Sequence, residues 1–410
     1  MTPFRRFVLA RAIAWIGNAM SLVALPVLVY QLTDSPLMSG VAFAVESLPY
    51  LMFGLFAGAL ADRIDRKSVL LTTQLGSAAA LASIPVVHML GSVTVPHLLV
   101  VSFAVSTLFV FFDAASFGVV PALVGRDAIP EATGTLVSVG TVIGVGGPLL
   151  GGLAATTLGP PGAIMIDACC FFVAALVTRT VAVPPGASAS TLVEGPKLRV
   201  LITEGLGFIW RQPVVRALTA VGVGVSLANG VMVGLMVVVG IRKLGLTDGD
   251  ARLGSLYAAT ALGAFLISLV SARIQRVLGT GVITCSGLVI AAVAMLVWSA
   301  TGVLAVSLVA LVVYQAANTM IVVNGIVVRA SVTPDALQSR VNTTARMIAM
   351  GGTPFGAAAG GALAEAFGVT SAIVFGACAL SAAGAVAVWL GVPRLPMLVE
   401  LTAAAERERQ

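Results

Sequence analysis

Charge is scarce in this sequence: Asp, Glu, Lys and Arg together make up only 10% of it. A water-soluble globular domain carries about a quarter charged residues. With 59% hydrophobic residues and a mean hydropathy of +1.06, the chain has lipid rather than water as its solvent. Histidine is rarer still. His88 and His97 are too few for a metal site and pair with no cysteine, so hydrolytic catalysis has no candidate constellation and the chain does not read as an enzyme. The four cysteines, Cys169, Cys170, Cys285 and Cys378, show no CxxC spacing and fall in apolar segments. They indicate neither zinc nor a disulfide framework and read as small core residues. No Gly-Lys dipeptide occurs, which excludes a Walker A loop for ATP. Gly144-Val145-Gly146 begins a dinucleotide-like pattern, but position 149 is Leu149 and no Rossmann unit surrounds it. No cofactor is therefore expected. The net charge of +6 sits at the ends of apolar runs rather than along a stripe, which argues against nucleic acid and for membrane topology.

What is present in abundance is the apolar run. Crossing a hydrocarbon core of about 30 Å takes about 20 apolar residues in a helix. Twelve such runs start near Phe7, Met38, Ser68, Pro96, Thr133, Gly162, Pro213, Arg252, Gly279, Val303, Leu337 and Val369. They are continuously apolar, without the alternation of a membrane barrel. The first, preceded by Arg5 and Arg6, superficially resembles a signal peptide but is followed by many more spans, and reads as an uncleaved helix. Basic residues set the topology. Arg63, Arg66, Lys67, Arg126, Lys197, Arg199, Arg273, Arg276, Arg329 and Arg340 fall on the side of both termini, whereas only Arg242, Lys243 and Arg252 fall opposite. The expectation is an all-α integral membrane protein of the cell (plasma or inner) membrane, multi-pass, with both termini cytoplasmic.

Between Val183 and Gln212 the apolar signal lapses. The chain thus divides into an N-terminal six-helix bundle (1–183), a cytoplasmic linker (184–212) and a C-terminal six-helix bundle with a short tail (213–410). The halves repeat: Gly151, Gly152 and Gly159 have counterparts at Gly360, Gly361 and Gly368. Such internal repeats mark carriers whose site lies at the midplane, although glycine is abundant enough in membrane helices for chance coincidence.

After the second run comes Gly58-Ala59-Leu60-Ala61-Asp62-Arg63-Ile64-Asp65-Arg66-Lys67. It resembles the signature loop of the major facilitator superfamily, Gly-x-x-x-Asp-Arg-x-Gly-Arg-Lys/Arg, with Asp65 in place of the later Gly. The resemblance implies that Gly58 allows close helix contact while Asp62 and Arg63 join a charge relay that locks the cytoplasmic side; Arg63, Arg66 and Lys67 also anchor topology in any case. Gly147-Pro148-Leu149-Leu150-Gly151-Gly152 looks like the antiporter motif of the superfamily's exporters, and its small residues equally serve helix packing. Arg11 to Asn18, Ala24-Leu25-Pro26, Leu48-Pro49-Tyr50 and Phe112-Asp113-Ala114 resemble the drug-proton antiporter branch that includes macrolide and enterobactin exporters. That branch implies two pseudo-symmetric six-helix bundles.

Ionisable groups within spans cost about 2.5–3.5 kcal/mol on insertion scales and are functional candidates by default. Glu46 leads, about eight residues or roughly 12 Å into the second span, where a carboxyl can hold a proton when occluded and release it when wetted. Asp113 follows, with a helix-joining ion pair as its equal alternative. Asp167 reads as structural ahead of functional, and Arg346 either neutralises a carboxylate or snorkels. By resemblance, the first, fourth, seventh and tenth spans line the cavity, which makes Asn18, Ser106, Thr107, Asn229, Gln315 and Asn318 its polar candidates. Helix-to-helix hydrogen bonding is their other reading. The expected activity is proton-coupled export of a small amphiphilic compound by a monomeric carrier in contact with membrane lipids. Metabolite uptake, facilitated diffusion and a non-transporting receptor or lipid-handling role on the same fold remain open alternatives.

Overall fold

A computed structural model describes residues 2–61, 65–125, 128–182, 198–334 and 337–396. Within these residues the chain is a succession of helices: α1 (Pro3–Thr33), α2 (Pro36–Ala61), α3 (Arg66–Met89), α4 (Val95–Val124), α5 (Ile129–Arg179), α6 (Leu198–Arg211), α7 (Pro213–Gly234), α8 (Met236–Arg242), α9 (Arg252–Val277), α10 (Thr280–Ala300), α11 (Leu304–Val332), α12 (Gln338–Met350), α13 (Gly352–Phe367) and α14 (Val369–Trp389). Local chemistry sets their starts. Thr2 caps α1 by accepting from the Arg5 amide at 3.3 Å, and Pro3 opens the first turn, where a missing N–H costs nothing. Asp65 accepts from the amide and hydroxyl of Ser68 at 2.9 and 2.7 Å. The residue that departs from the signature loop's glycine is therefore the N-cap of α3.

Ten of the described helices are long and apolar enough to cross a membrane. The 51-residue α5 changes direction at Gly159, whose φ of 72° is open to glycine and strained for other residues, so it supplies two crossings. Helices α12 and α13 follow one another across Gly351 and supply one more. The twelve expected crossings are thus accounted for, and their starts fall within a few residues of the sequence reading. Large apolar side chains such as Met89, Val142, Leu269 and Trp389 are exposed, as suits lipid-facing surfaces. The cysteines correct the sequence reading: Cys169 and Cys378 are exposed and Cys170 and Cys285 half-buried, because small apolar residues lose nothing by facing lipid. Helix α6, which lies in the segment read simply as linker, is a further addition.

The described chain forms two compact units, Met1–Glu194 with Val237–Ala258, and Gly195–Met236 with Ala259–Gln410. In the first, α1 lies against both arms of α5, with Ala24, Leu28, Leu81, Leu98 and Ile164 in one buried cluster. A Cβ on Gly151 would stand 2.6 Å from the Ala19 carbonyl oxygen of α1. In the second, Gly360 packs α13 in the same way on Val231 of α7, where a Cβ would lie 3.2 Å from the valine methyls. The turns match as well, since Gly368 has φ 86° and ψ 160° against 72° and 162° for Gly159. The internal repeat is thus a repeat of close helix contacts as well as of letters. Asn324, not singled out from sequence, ties α11 to α10 in the second unit by donating to the Thr280 carbonyl and the Thr284 hydroxyl, both at 3.1 Å.

The segment Val237–Ala258 is fastened to the first unit at two places. Gly152 of α5 meets the backbone of Ala251, and a Cβ on it would lie 3.0 Å from the Gly254 nitrogen. At the end of α8, Arg242 donates to the Tyr30 hydroxyl at 2.7 Å and to the Asp34 carbonyl at 2.6 Å, with the Asp34 carboxylate 3.4 Å away. Hydrogen bonds from the Tyr30 hydroxyl first, and from Arg242 second, hold the Asp34 carboxyl below its ordinary range. Stabilisation from a depressed carboxyl is complete above its unfolded value and is lost as the pH falls through the folded one. Asp34→Asn should therefore speed amide hydrogen exchange across this segment at neutral pH, and wild type should approach the variant only under strong acid.

Candidate functional site

Five helices of the first unit enclose a cavity of about 160 Å³. Glu46 of α2 and Asp167 of α5 both line it, with Asn18 and Ser21 from α1 and Ser102 and Ser106 from α4. Leu25, Leu81, Phe109 and Phe171 complete a largely apolar wall. The local sequence explains how closely α1 and α5 approach at Asp167. Gly17 lets α1 approach α5 so closely that its Cβ would lie 2.6 Å from Asp167 Oδ1. Asp167 is 1% exposed. Its Oδ1 has no hydrogen-bond partner among the described residues, while the Ser21 hydroxyl lies beside the carboxyl. A buried charge without full pairing is costly, so this carboxyl is poised for a proton, a cation or water. Tyr257 of α9, buried and within the same unit, lies within electrostatic reach of Glu46.

The other candidates fall elsewhere. Asp113 pairs with Arg11 at 3.7 Å. Arg11 is further fixed by donating to the Ser116 hydroxyl at 2.8 Å and by stacking 4.7 Å above Trp15 and 5.1 Å from Phe112. Thr107 spends its hydroxyl on the Phe103 carbonyl of its own helix at 2.7 Å. In the second unit, Asn229 is half-buried, Gln315 reaches Thr319 at 3.5 Å, and Asn318 is 8% exposed with its Oδ1 unpartnered among the described residues. Arg346 is exposed on α12.

Of the signature loop, Asp62 and Arg63 lie outside the described residues. Gly58 lies in the last turn of α2 and Lys67 in the first turn of α3. Arg66 donates to the Gly118 carbonyl of α4 at 2.8 Å, binding the loop to the neighbouring helix. Gly147, like Gly151, faces α1: a Cβ there would stand 2.5 Å from the Ala19 Cβ. Pro148 is buried, with its carbonyl set against Gly254 of α9.

The profile of the Major Facilitator Superfamily matches residues 7–343. The chain belongs to the Major Facilitator Superfamily. Among curated members it is 28% identical over 405 residues to the multidrug efflux pump Tap of Mycolicibacterium fortuitum, covering 96% of each chain. It is 27% identical over 292 residues to the enterobactin exporter EntS of Salmonella choleraesuis, covering 68% of this chain and 66% of that one. Solved superfamily structures share the fold: a bacterial homologue of the human lysosomal transporter Spinster, in an inward-facing and unoccupied conformation, superposes with a TM-score of 0.77 at 16% identity and 97% coverage of both chains. The nucleoside transporter NupG gives 0.77 at 12% identity, covering 95% of this chain and 99% of that one. This superfamily member is accordingly a multi-pass membrane protein, and its family and neighbours are transporters rather than enzymes.

Proposed function

We propose that this chain exports a small amphiphilic compound in exchange for protons, and that it does so as a monomer by alternating access between two six-helix bundles, residues 1–183 and 213–410, joined by the linker 184–212. Both termini lie in the cytoplasm in this reading. Glu46 and Asp167 carry the proton. Asn18 and Ser106 on one side, and Asn229, Gln315 and Asn318 on the other, supply polar contacts to the substrate. Gly58, Asp62, Arg63, Arg66 and Lys67, together with the Gly147 to Gly152 contact, set the conformational equilibrium.

The single observation that carries this reading is the meeting of two carboxyls from different helices in one cavity inside a membrane bundle. Neither has a basic side chain among its fellow lining residues, so a proton is the simplest neutralising partner. The efflux activity named for the relatives supports the direction of transport. Everted membrane vesicles provide the test, with ethidium as an amphiphilic probe. Acidifying the vesicle interior should drive ethidium inward against its gradient, and collapsing the pH difference should stop it. Uptake that only equilibrates, with or without the pH difference, would replace this reading by facilitated diffusion.

A further inference from the structure

Helix α6 has no part in the mechanism above, yet its chemistry is that of a helix at a membrane surface. Its 14 residues rise about 21 Å, too short to cross a core of about 30 Å. A single residue, Gln212, separates it from the spanning helix α7, which begins at Pro213. Proline disfavours helical backbone in its predecessor, and Gln212 is extended, with φ −90° and ψ 107°. The chain therefore breaks direction where α7 starts.

The faces of α6 divide by chemistry. Ile209 is 4% exposed and sits among Val215 of α7, Val332 of α11 and Val341 and Ala345 of α12. Beside it around the helix, Trp210 is 63% and Leu206 37% exposed, an apolar strip on a helix too short to span. Thr203, Glu204 and Arg211 follow, all exposed. Basic residues outnumber acidic ones in this stretch, with Lys197, Arg199, Arg211 and Arg216 against Glu204. Neither Arg211 nor Arg216 is in an ion pair among the described residues. Arg216 instead donates to the Trp210 carbonyl at 3.3 Å, which ties the indole-bearing turn to the start of α7.

We propose that α6 is a lipid-binding element: Trp210 and Leu206 enter the acyl boundary of the leaflet from which α7 starts, and Arg211 holds the phosphate of an anionic phospholipid there. Two observations select lipid. Trp210 stands within one turn of the start of a spanning helix, at the depth where tryptophan anchors membrane proteins, so the strip continues a lipid-facing surface. The exposed cation beside it completes the pattern of an interfacial helix, an apolar side in the acyl boundary and a basic side among the headgroups. That leaflet is the cytoplasmic one in the topology proposed above, on which its naming rests. The chain's own C-terminal stretch, with Glu400, Glu406 and Glu408, is the competing cover for the same face.

Fluorescence quenching of the full-length protein in phosphatidylcholine nanodiscs tests this without knowledge of the substrate. Bromine on an acyl chain quenches tryptophan at contact, and comparison of wild type with Trp210→Phe isolates the emission of Trp210 from that of Trp15, Trp298 and Trp389. The nanodiscs carry either dibrominated phosphatidylglycerol or dibrominated phosphatidylcholine as the minor lipid. An arginine near an anionic surface favours the charged lipid about fivefold, so phosphatidylglycerol should quench Trp210 at a mole fraction about fivefold lower than phosphatidylcholine, or lower still. Arg211→Gln, a change at an exposed position, should shrink that preference about fivefold without lowering the unfolding temperature. Equal quenching by the two lipids in wild type, or a preference that survives Arg211→Gln, would overturn the headgroup site. Trp210 emission that neither lipid quenches would show the strip covered by protein and overturn the proposal as a whole. The nanodisc presents both leaflets and no pH gradient, so these outcomes leave the proton-export reading to its own test.

Discussion

Glu46→Gln is expected to reduce pH-driven accumulation of ethidium in everted vesicles to simple equilibration. One pH unit is worth 1.36 kcal/mol per proton, so exchange of one proton supports about tenfold accumulation per unit of gradient. The substituted amide would keep the shape and hydrogen bonding of the glutamate but could neither bind nor release a proton. The ratio should therefore fall from about tenfold to about one, while exchange of labelled for unlabelled probe across the membrane continues. That split separates loss of coupling from loss of folding or binding. Asp167→Asn faces the same cavity. If the two carboxyls share a single proton, it should give the same phenotype, whereas two independently titrating groups would each leave a fraction of the coupling.

The second large effect is steric. In Gly151→Val, the new Cβ would meet the Ala19 carbonyl oxygen at 2.6 Å and the Met20 Cα at 3.2 Å. Both are main-chain atoms of a helix that cannot yield as a side-chain tip can. Overpacking of this kind costs about 1–3 kcal/mol, and here it must push α1 away from the arm of α5 that carries the antiporter-like motif. Transport should fall at least about tenfold and the unfolding temperature should drop by several degrees. Gly146→Val is the matched control, because nothing stands within 4 Å of a Cβ at Gly146. The same substitution five residues earlier should leave both quantities near wild type.

The contrast between these glycines shows what the sequence could and could not reveal. Span positions were legible because charges and prolines interrupt apolar runs at the membrane surface, as Arg66, Pro213 and Arg252 do at the starts of α3, α7 and α9. Glu46 and Asp167 stood out because a carboxyl inside such a run is anomalous. Their meeting in one cavity was not legible, because it depends on the rotation of α2 and α5 about their own axes, and an almost uniformly apolar helix carries little moment to fix that rotation. Ser21 and Ser102 were silent for a related reason. A serine in a membrane helix commonly bonds its own backbone, as Ser102 does to the Leu98 carbonyl at 2.9 Å, and nothing in the letters distinguishes it from one that lines a cavity. The Arg242 contact with Tyr30 joins residues 212 positions apart, and only the folded chain brings them together. The linker helix α6 escaped for the opposite reason: its polar residues broke the apolar signal that identifies spans, and so hid a helical segment.

The most direct test of proton exchange measures both fluxes at once. Purified protein is reconstituted into liposomes that enclose a pH-sensitive dye, with no initial pH difference, and ethidium is added outside. The account predicts that ethidium entry is accompanied by proton exit, seen as an alkaline shift inside the liposomes, and that Glu46→Gln removes this shift while ethidium exchange persists. Entry of ethidium with no change in internal pH in the wild-type protein would contradict it.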